Sequence, residues 1–141
     1  MSIETNRKTA EKFYDCIAKQ DFAGLKALCT DDFAYFPRVQ DEHDNLEDFI
    51  RIERDNMIDY GDYTMKLVDT IAEGNRVACY LTFEGTLQKD TYHGLPAKKG
   101  SHAFMDFMTI LTFRDGKICE KRAKYNMLDV LRMSGVKHLD L

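Results

Sequence analysis

The sequence is 141 residues long, 44% hydrophobic, and carries a formal net charge of -4; that length holds one domain with a single sizeable core. Its Lys and Arg residues are scattered, leaving no basic stripe to neutralise phosphates, which excludes a nucleic-acid partner, and no apolar run approaches the roughly 20 residues that span a bilayer, which excludes a membrane partner. Cys16, Cys29, Cys79 and Cys119 stand apart, without CxxC pairs or an upstream signal segment, and read as buried free thiols in a reducing cytoplasm.

Taken in order, Thr5 or Asn6 can cap a first helix whose apolar positions Ala10, Phe13, Tyr14, Ile17 and Ala18 share one face, ending near Lys19. Asp21 reads as the cap of a short second helix carrying Phe22, Leu25, Leu28 and Cys29, stopped by Thr30-Asp31-Asp32. Residues 33–39 suit a short edge strand, because Pro37 cannot donate to a ladder. Asp44 with Glu47 resembles a capping box that opens a third helix through about Ile58, with Leu46, Phe49, Ile50 and Met57 facing inward and the remainder charged and solvated. Alternation then predicts strands over 63–71 and 76–87, joined by a turn at Glu73-Gly74-Asn75, with Gly85 marking a bend or bulge.

The stretch from Tyr92 to Lys124 organises the rest. After a turn-rich entry at His93-Gly94-Leu95-Pro96 it offers two long strands, 101–114 and 117–125, joined by Asp115-Gly116, a strong short-range hairpin signal. Asn126 can cap a terminal helix with Leu128 and Leu131, closed by Gly135. Helices first, then a meander of long strands, is the order of an α+β fold in one domain over residues 1–141.

Within the first long strand Asp106 stands among Met105, Phe107, Phe104 and Met108, and chemistry is sought there first. With His102, Phe104, Met108 and Ile110 on its side, it reads as a cavity carboxyl with a raised pKa, able to donate a proton toward a developing enolate. Alternatively it is a carboxylate at a sheet or dimer interface, paired with Arg122 or Lys124. His102 shares that face about 13 Å away and would line a pocket mouth, or simply lie exposed at a strand start. His93 can serve as an acid/base on a lid, or be a solvated loop histidine. Met57 and Met108 suit an irregular lining and equally a core. Four histidines without HxH or HExxH spacing indicate no metal.

Four segments, QDFAGLKALCTDDFAYFP, NLEDFI, FEGTLQKDTYHGLPAKKGSHAFMDFMTILTFRDGKI and NMLDVLRMSG, cover most of the chain and resemble the SnoaL-like polyketide cyclases of the nuclear-transport-factor-like superfamily. The resemblance implies a cone-shaped α+β barrel in which N-terminal helices pack on a strongly curved mixed sheet and enclose an apolar pocket, with homodimerisation through the sheet. It also implies a small hydrophobic ligand and no cofactor. Members include cyclases, isomerases, dehydratases, epoxide hydrolases and non-enzymes.

Carried over residue by residue, the cyclases' general acid/base position holds Asn126, which hydrogen-bonds but cannot exchange a proton near neutral pH. Asp106 matches the neutral aspartic acid of the ketosteroid isomerases. The isomerase tyrosine and base positions hold Phe13 and Phe36, while Tyr14 and Tyr35 are the phenols the family layout brings to the pocket. The resulting expectation is a ligand-binding domain, acting as a cofactor-independent cyclase or isomerase next to a carbonyl. Asp106, His93 and Asn126 are its catalytic candidates; Tyr14, Tyr35, Phe13, Phe36, Met57, His102, Phe104 and Met108 line its substrate site. The alternative is a non-catalytic binding or dimerisation domain.

Overall fold

The computed structural model describes residues 2–37 and 42–140. Helix α1 (Ile3–Ala18) begins before either cap expected from the sequence, because the Ser2 hydroxyl accepts from the Thr5 amide at 3.0 Å. Asn6, Ala10, Phe13, Tyr14 and Ile17 form its buried stripe. Helix α2 (Phe22–Ala27) follows, with the Asp21 carboxylate accepting from the Gly24 amide at 2.9 Å as the sequence predicts.

Strand β1 (Cys29–Phe36) takes in Thr30-Asp31-Asp32, which the sequence suggested as a helix stop. β1 lies parallel to the last strand, with Cys29 opposite Ile118 and Tyr35 opposite Lys121, and these polar residues fall in the register irregularity between Cys29 and Ala34. Val39, the predicted strand end, lies outside the described residues. Helix α3 (Leu46–Asp59) is capped by Asn45, whose side-chain oxygen accepts from the Asp48 amide at 2.9 Å. Asp44 is one residue too early because its backbone is committed to Tyr35 through two hydrogen bonds, of 2.8 and 2.9 Å.

The remaining elements are β2 (Thr64–Glu73), β3 (Arg76–Thr86), a small hairpin of β4 (Thr91–Tyr92) and β5 (Leu95–Pro96), β6 (His102–Arg114), β7 (Lys117–Lys124) and α4 (Met127–Met133). The main sheet runs β1-β7-β6-β3-β2, antiparallel except for the β1–β7 pair, and stays open with β1 and β2 at its edges. This is the mixed-sheet α+β fold expected. Asp115 and Gly116 have φ of +51° and +79°, the backbone that a tight Asp-Gly hairpin requires. Gly85 marks no bulge: it pairs regularly with Ala103, and a Cβ there would sit 3.0 Å from Tyr60 Cβ and 3.2 Å from Tyr63 Cα. Glycine is present because the backbone following α3 passes close to β3. Register irregularities lie instead between Cys29 and Ala34, between Leu67 and Asp69, and opposite Thr112/Phe113.

The helices cover one face of the sheet and divide the interior in two. One cluster gathers Phe13, Ile17, Leu25, Phe33, Phe49, Leu81, Leu111 and Ile118; the other gathers Tyr60, Phe83, Leu87, Tyr92, Ala103, Val130 and Leu131. Among the described residues no helix is long and apolar enough to cross a membrane.

Candidate functional site

Where the two clusters meet, the interior is incompletely filled and leaves a cavity of about 100 Å³. Its apolar wall includes Met57 and Tyr60 from α3 and its C-terminus, Phe83 from β3, Met105 and Phe107 from β6, and Val130 from α4. Tyr35, Asn56, Tyr92, His93 and Tyr125 add polar atoms, and two ionisable side chains, Glu53 and Lys121, complete the lining.

Local sequence explains why both charges face inward. Glu53 lies four residues after Phe49 and four before Met57, on the stripe with which α3 packs inward and not on the solvated side expected of a charged residue in this helix. Lys121 owes its direction to an irregularity in β7, where Phe113 pairs with Ile118 but Thr112 pairs with Glu120, leaving Cys119 as an extra residue. Strict alternation from Ile118 would send Glu120, Arg122 and Lys124 inward. The extra residue reverses the parity, so Lys121 and Ala123 are buried while Arg122 and Lys124 are exposed.

Glu53 is 7% exposed and Lys121 3% exposed. Burial raises the Glu53 carboxyl above the usual carboxylate range, with attraction to Lys121 opposing the shift. Burial lowers the Lys121 ammonium, opposed first by attraction to Glu53. The two interact through the cavity without an ion-pair contact within 4.0 Å, and among the described residues no other carboxylate takes that place. The ammonium head instead lies 4.7 Å from the Phe49 ring centre, 5.3 Å from Tyr35, 5.4 Å from Tyr14 and 5.7 Å from Phe13. Burial thus raises the carboxyl and lowers the amine on one apolar cavity, bringing the pKa values of the two groups closer together.

Of the residues selected from the sequence, Tyr35, Met57 and His93 line this cavity. His93 sits at the β4–β5 turn with φ of +50°, exposed at the edge, its ring 4.4 Å from that of Tyr92. Phe13 is core, one wall of the aromatic group around Lys121. Tyr14 is core as well: its hydroxyl hydrogen-bonds Thr109, and burial drives its pKa up. Phe36 packs outside the cavity, with the Arg122 guanidinium 4.0 Å from its ring centre.

The inward placement expected for Asp106 is overturned. His102, Phe104, Asp106, Met108 and Ile110 do share one face, but it is the exposed one; Ala103, Met105, Phe107, Thr109, Leu111 and Phe113 face the helices. Both faces of β6 carry apolar residues, so alternation did not state which was inner, and the charged member of the set marks the solvent side. On the outer face Asp106 accepts a 2.8 Å hydrogen bond from the Tyr80 hydroxyl, and His102 lies 3.0 Å from Glu84. Phe104 and Met108 are 52% and 54% exposed. Asn126 is the cap of α4, its side-chain oxygen accepting from the Asp129 amide at 3.2 Å. It meets Asp106 and Met108 only along an open external groove. Among the described residues no group of three His, Cys, Asp or Glu is placed to hold a metal.

A family model for SnoaL-like polyketide cyclase matches residues 7–133. Among solved structures the chain is similar to a SnoaL-like protein of Jannaschia sp. CCS1, a proposed polyketide cyclase, with a TM-score of 0.84 at 17% identity, covering 98% of this chain and 97% of that one. It is also similar to AclR of Streptomyces galilaeus, a proposed hydroxylase, with a TM-score of 0.80 at 20% identity, covering 94% and 97%. IdmH of Streptomyces antibioticus, a proposed polyketide cyclase, gives a TM-score of 0.78 at 20% identity, covering 91% and 96%. At these identities the likeness shows the fold alone, and the different chemistries named on it leave the site to speak for itself. No curated protein matches the chain.

Proposed function

The chain belongs to the SnoaL-like polyketide cyclase family, and from that premise and the chemistry of its cavity we propose that it binds a small hydrophobic carbonyl compound and moves a proton at the carbon beside the carbonyl. The observation that carries the reading is the pair Glu53 and Lys121 on one apolar cavity. Glu53 takes the proton from carbon and returns it; Lys121 supplies positive charge where the carbonyl oxygen becomes an enolate; His93 and Tyr35 orient the ligand. Proton transfer of this kind underlies cyclisation and isomerisation alike and needs neither metal nor organic cofactor. The four free thiols support a reducing, cytoplasmic setting. Apolar side chains on the outer sheet face support a homodimer.

Deuterium uptake beside the carbonyl of small ketones, followed by NMR in heavy water, tests this. Wild type is expected to accelerate exchange, Glu53→Gln to lose about 10²- to 10⁴-fold of that acceleration, and Asp106→Asn to retain it. Equal rates in wild type and Glu53→Gln contradict the assignment. A second reading, a binding domain without catalysis, is favoured by Asn126, which stands at the position of the family acid and is engaged as a helix cap; ligand binding without exchange would support it.

A further inference from the structure

We propose that Lys121 acts covalently, its ε-amine condensing with the carbonyl of a compact, apolar aldehyde or ketone held in the cavity to form an imine, with Glu53 assisting the loss of water. This deepens the reading of the same cavity given above, replacing a charge held beside the carbonyl by one bonded to it.

Three features of the site support the step. An amine attacks carbon only when it is unprotonated, and Lys121 is enclosed at 3% exposure among four aromatic rings, where the charged form loses its hydration. A carboxylate in ion-pair contact would hold the proton on the amine, and among the described residues none lies within 4.0 Å. The thiols of Cys29 and Cys79 do not compete as nucleophiles, since burial pushes Cys29 up to about 12 and Cys79 up to about 11, leaving both protonated near neutrality.

The step balances. The amine nitrogen bonds to the carbonyl carbon as the C=O π pair moves to oxygen, and the nitrogen proton passes to that oxygen, giving a carbinolamine. Glu53, as the carboxylic acid, protonates the hydroxyl; the C–O bond breaks, water leaves, and a protonated imine remains beside the Glu53 carboxylate. That carboxylate then accepts a proton from the neighbouring carbon, giving an enamine, and water reverses the sequence to release the product. Ligand class follows from the walls. A cavity of about 100 Å³ is far below the roughly 300–1,000 Å³ of drug-sized sites, so the ligand is compact. Phe83, Met105, Phe107 and Val130 give it an apolar body, leaving one carbonyl for Glu53 and Lys121.

The test uses the full chain with cyclopentanone as probe and cyanoborohydride as trap, followed by peptide mapping. Wild type is expected to carry a cyclopentyl group on Lys121 in excess of exposed lysines such as Lys98, Lys99 and Lys124, and Glu53→Gln to slow labelling at Lys121 alone. Label confined to exposed lysines overturns the proposal, and because this is read on wild type it does not depend on whether a variant folds. Exchange measured in parallel separates the two readings. Exchange without a label on Lys121 removes the imine and keeps proton transfer; a label without exchange keeps the imine and removes proton transfer; absence of both removes both.

Discussion

Withdrawing a carboxyl and an amine from water costs several kcal/mol for each when both are charged, and Glu53 and Lys121 recover part of it from one another and, for Lys121, from four ring faces. The cost appears as a pH dependence. Because the Glu53 carboxyl is raised on folding, the folded chain keeps a proton that the unfolded chain gives up between the ordinary carboxylate range and the raised value. The stability this proton confers is fully present below that window and lost as pH rises through it. Lys121 is lowered, so its contribution lies in a different window, just below the ordinary lysine range, where stability rises with pH. Urea midpoints taken from about pH 4 to about pH 7 should therefore show wild type losing stability relative to Glu53→Gln. Parallel profiles would mean that Glu53 is not desolvated as its burial indicates. Replacing both groups, Glu53→Leu with Lys121→Met, is expected to leave the fold as stable as wild type or up to about 4 kcal/mol more so, while abolishing exchange. A residue retained against stability in this way is one kept for the cavity.

Elements were easier to read than the directions of their side chains. The Asp21 and Asn126 caps, the Asp115-Gly116 hairpin, the long strands and the α+β order follow from local chemistry, and the structure keeps them. Facing was harder, and the site depends on facing. Strand β6 is apolar on both sides, so Asp106 was legible as unusual but not as external. In β7 one extra residue, Cys119, reverses the alternation, and the small apolar Ala123 two positions after Lys121 was the available sign of the inner face. In α3 the signal was stronger: Phe49, Ile50, Glu53 and Met57 follow helical spacing, and treating the carboxyl as solvated overrode the period. The close approach at Gly85 was not legible, since it joins residues distant in sequence. There Gly85→Val is expected to cost about 1–3 kcal/mol, read as a lower urea midpoint, because Tyr63 Cα is backbone and cannot turn aside. Since Tyr60 is also crowded and lines the cavity, the variant should weaken ketone binding more than its stability loss alone explains.

Across the whole molecule the sheet separates two surfaces of different character. Its inner face, with the helices, encloses the cavity; its outer face presents Ile71 at 70% exposure, Met108 at 54%, Phe104 at 52% and Ile110 at 40%. Strand pairing sets these side by side, Ile110 opposite Ala78 and Met108 opposite Tyr80, with Asp106, Arg122 and Lys124 among them. Apolar side chains gathered on one sheet face gain by association, and charges of both signs within the patch let a two-fold pairing match unlike charges. For the homodimer proposed above, the face that carries Asp106 is the expected contact, and Asp106 would then belong to the assembly surface and not to the cavity. Met108→Glu sets a like charge beside Asp106 on both copies and is expected to shift the protein toward monomer in light scattering. Because Met108 points away from the cavity, ketone exchange per chain should persist in that monomer. Loss of exchange together with the dimer would show that the cavity depends on assembly, and an undisturbed dimer would place the contact on another surface.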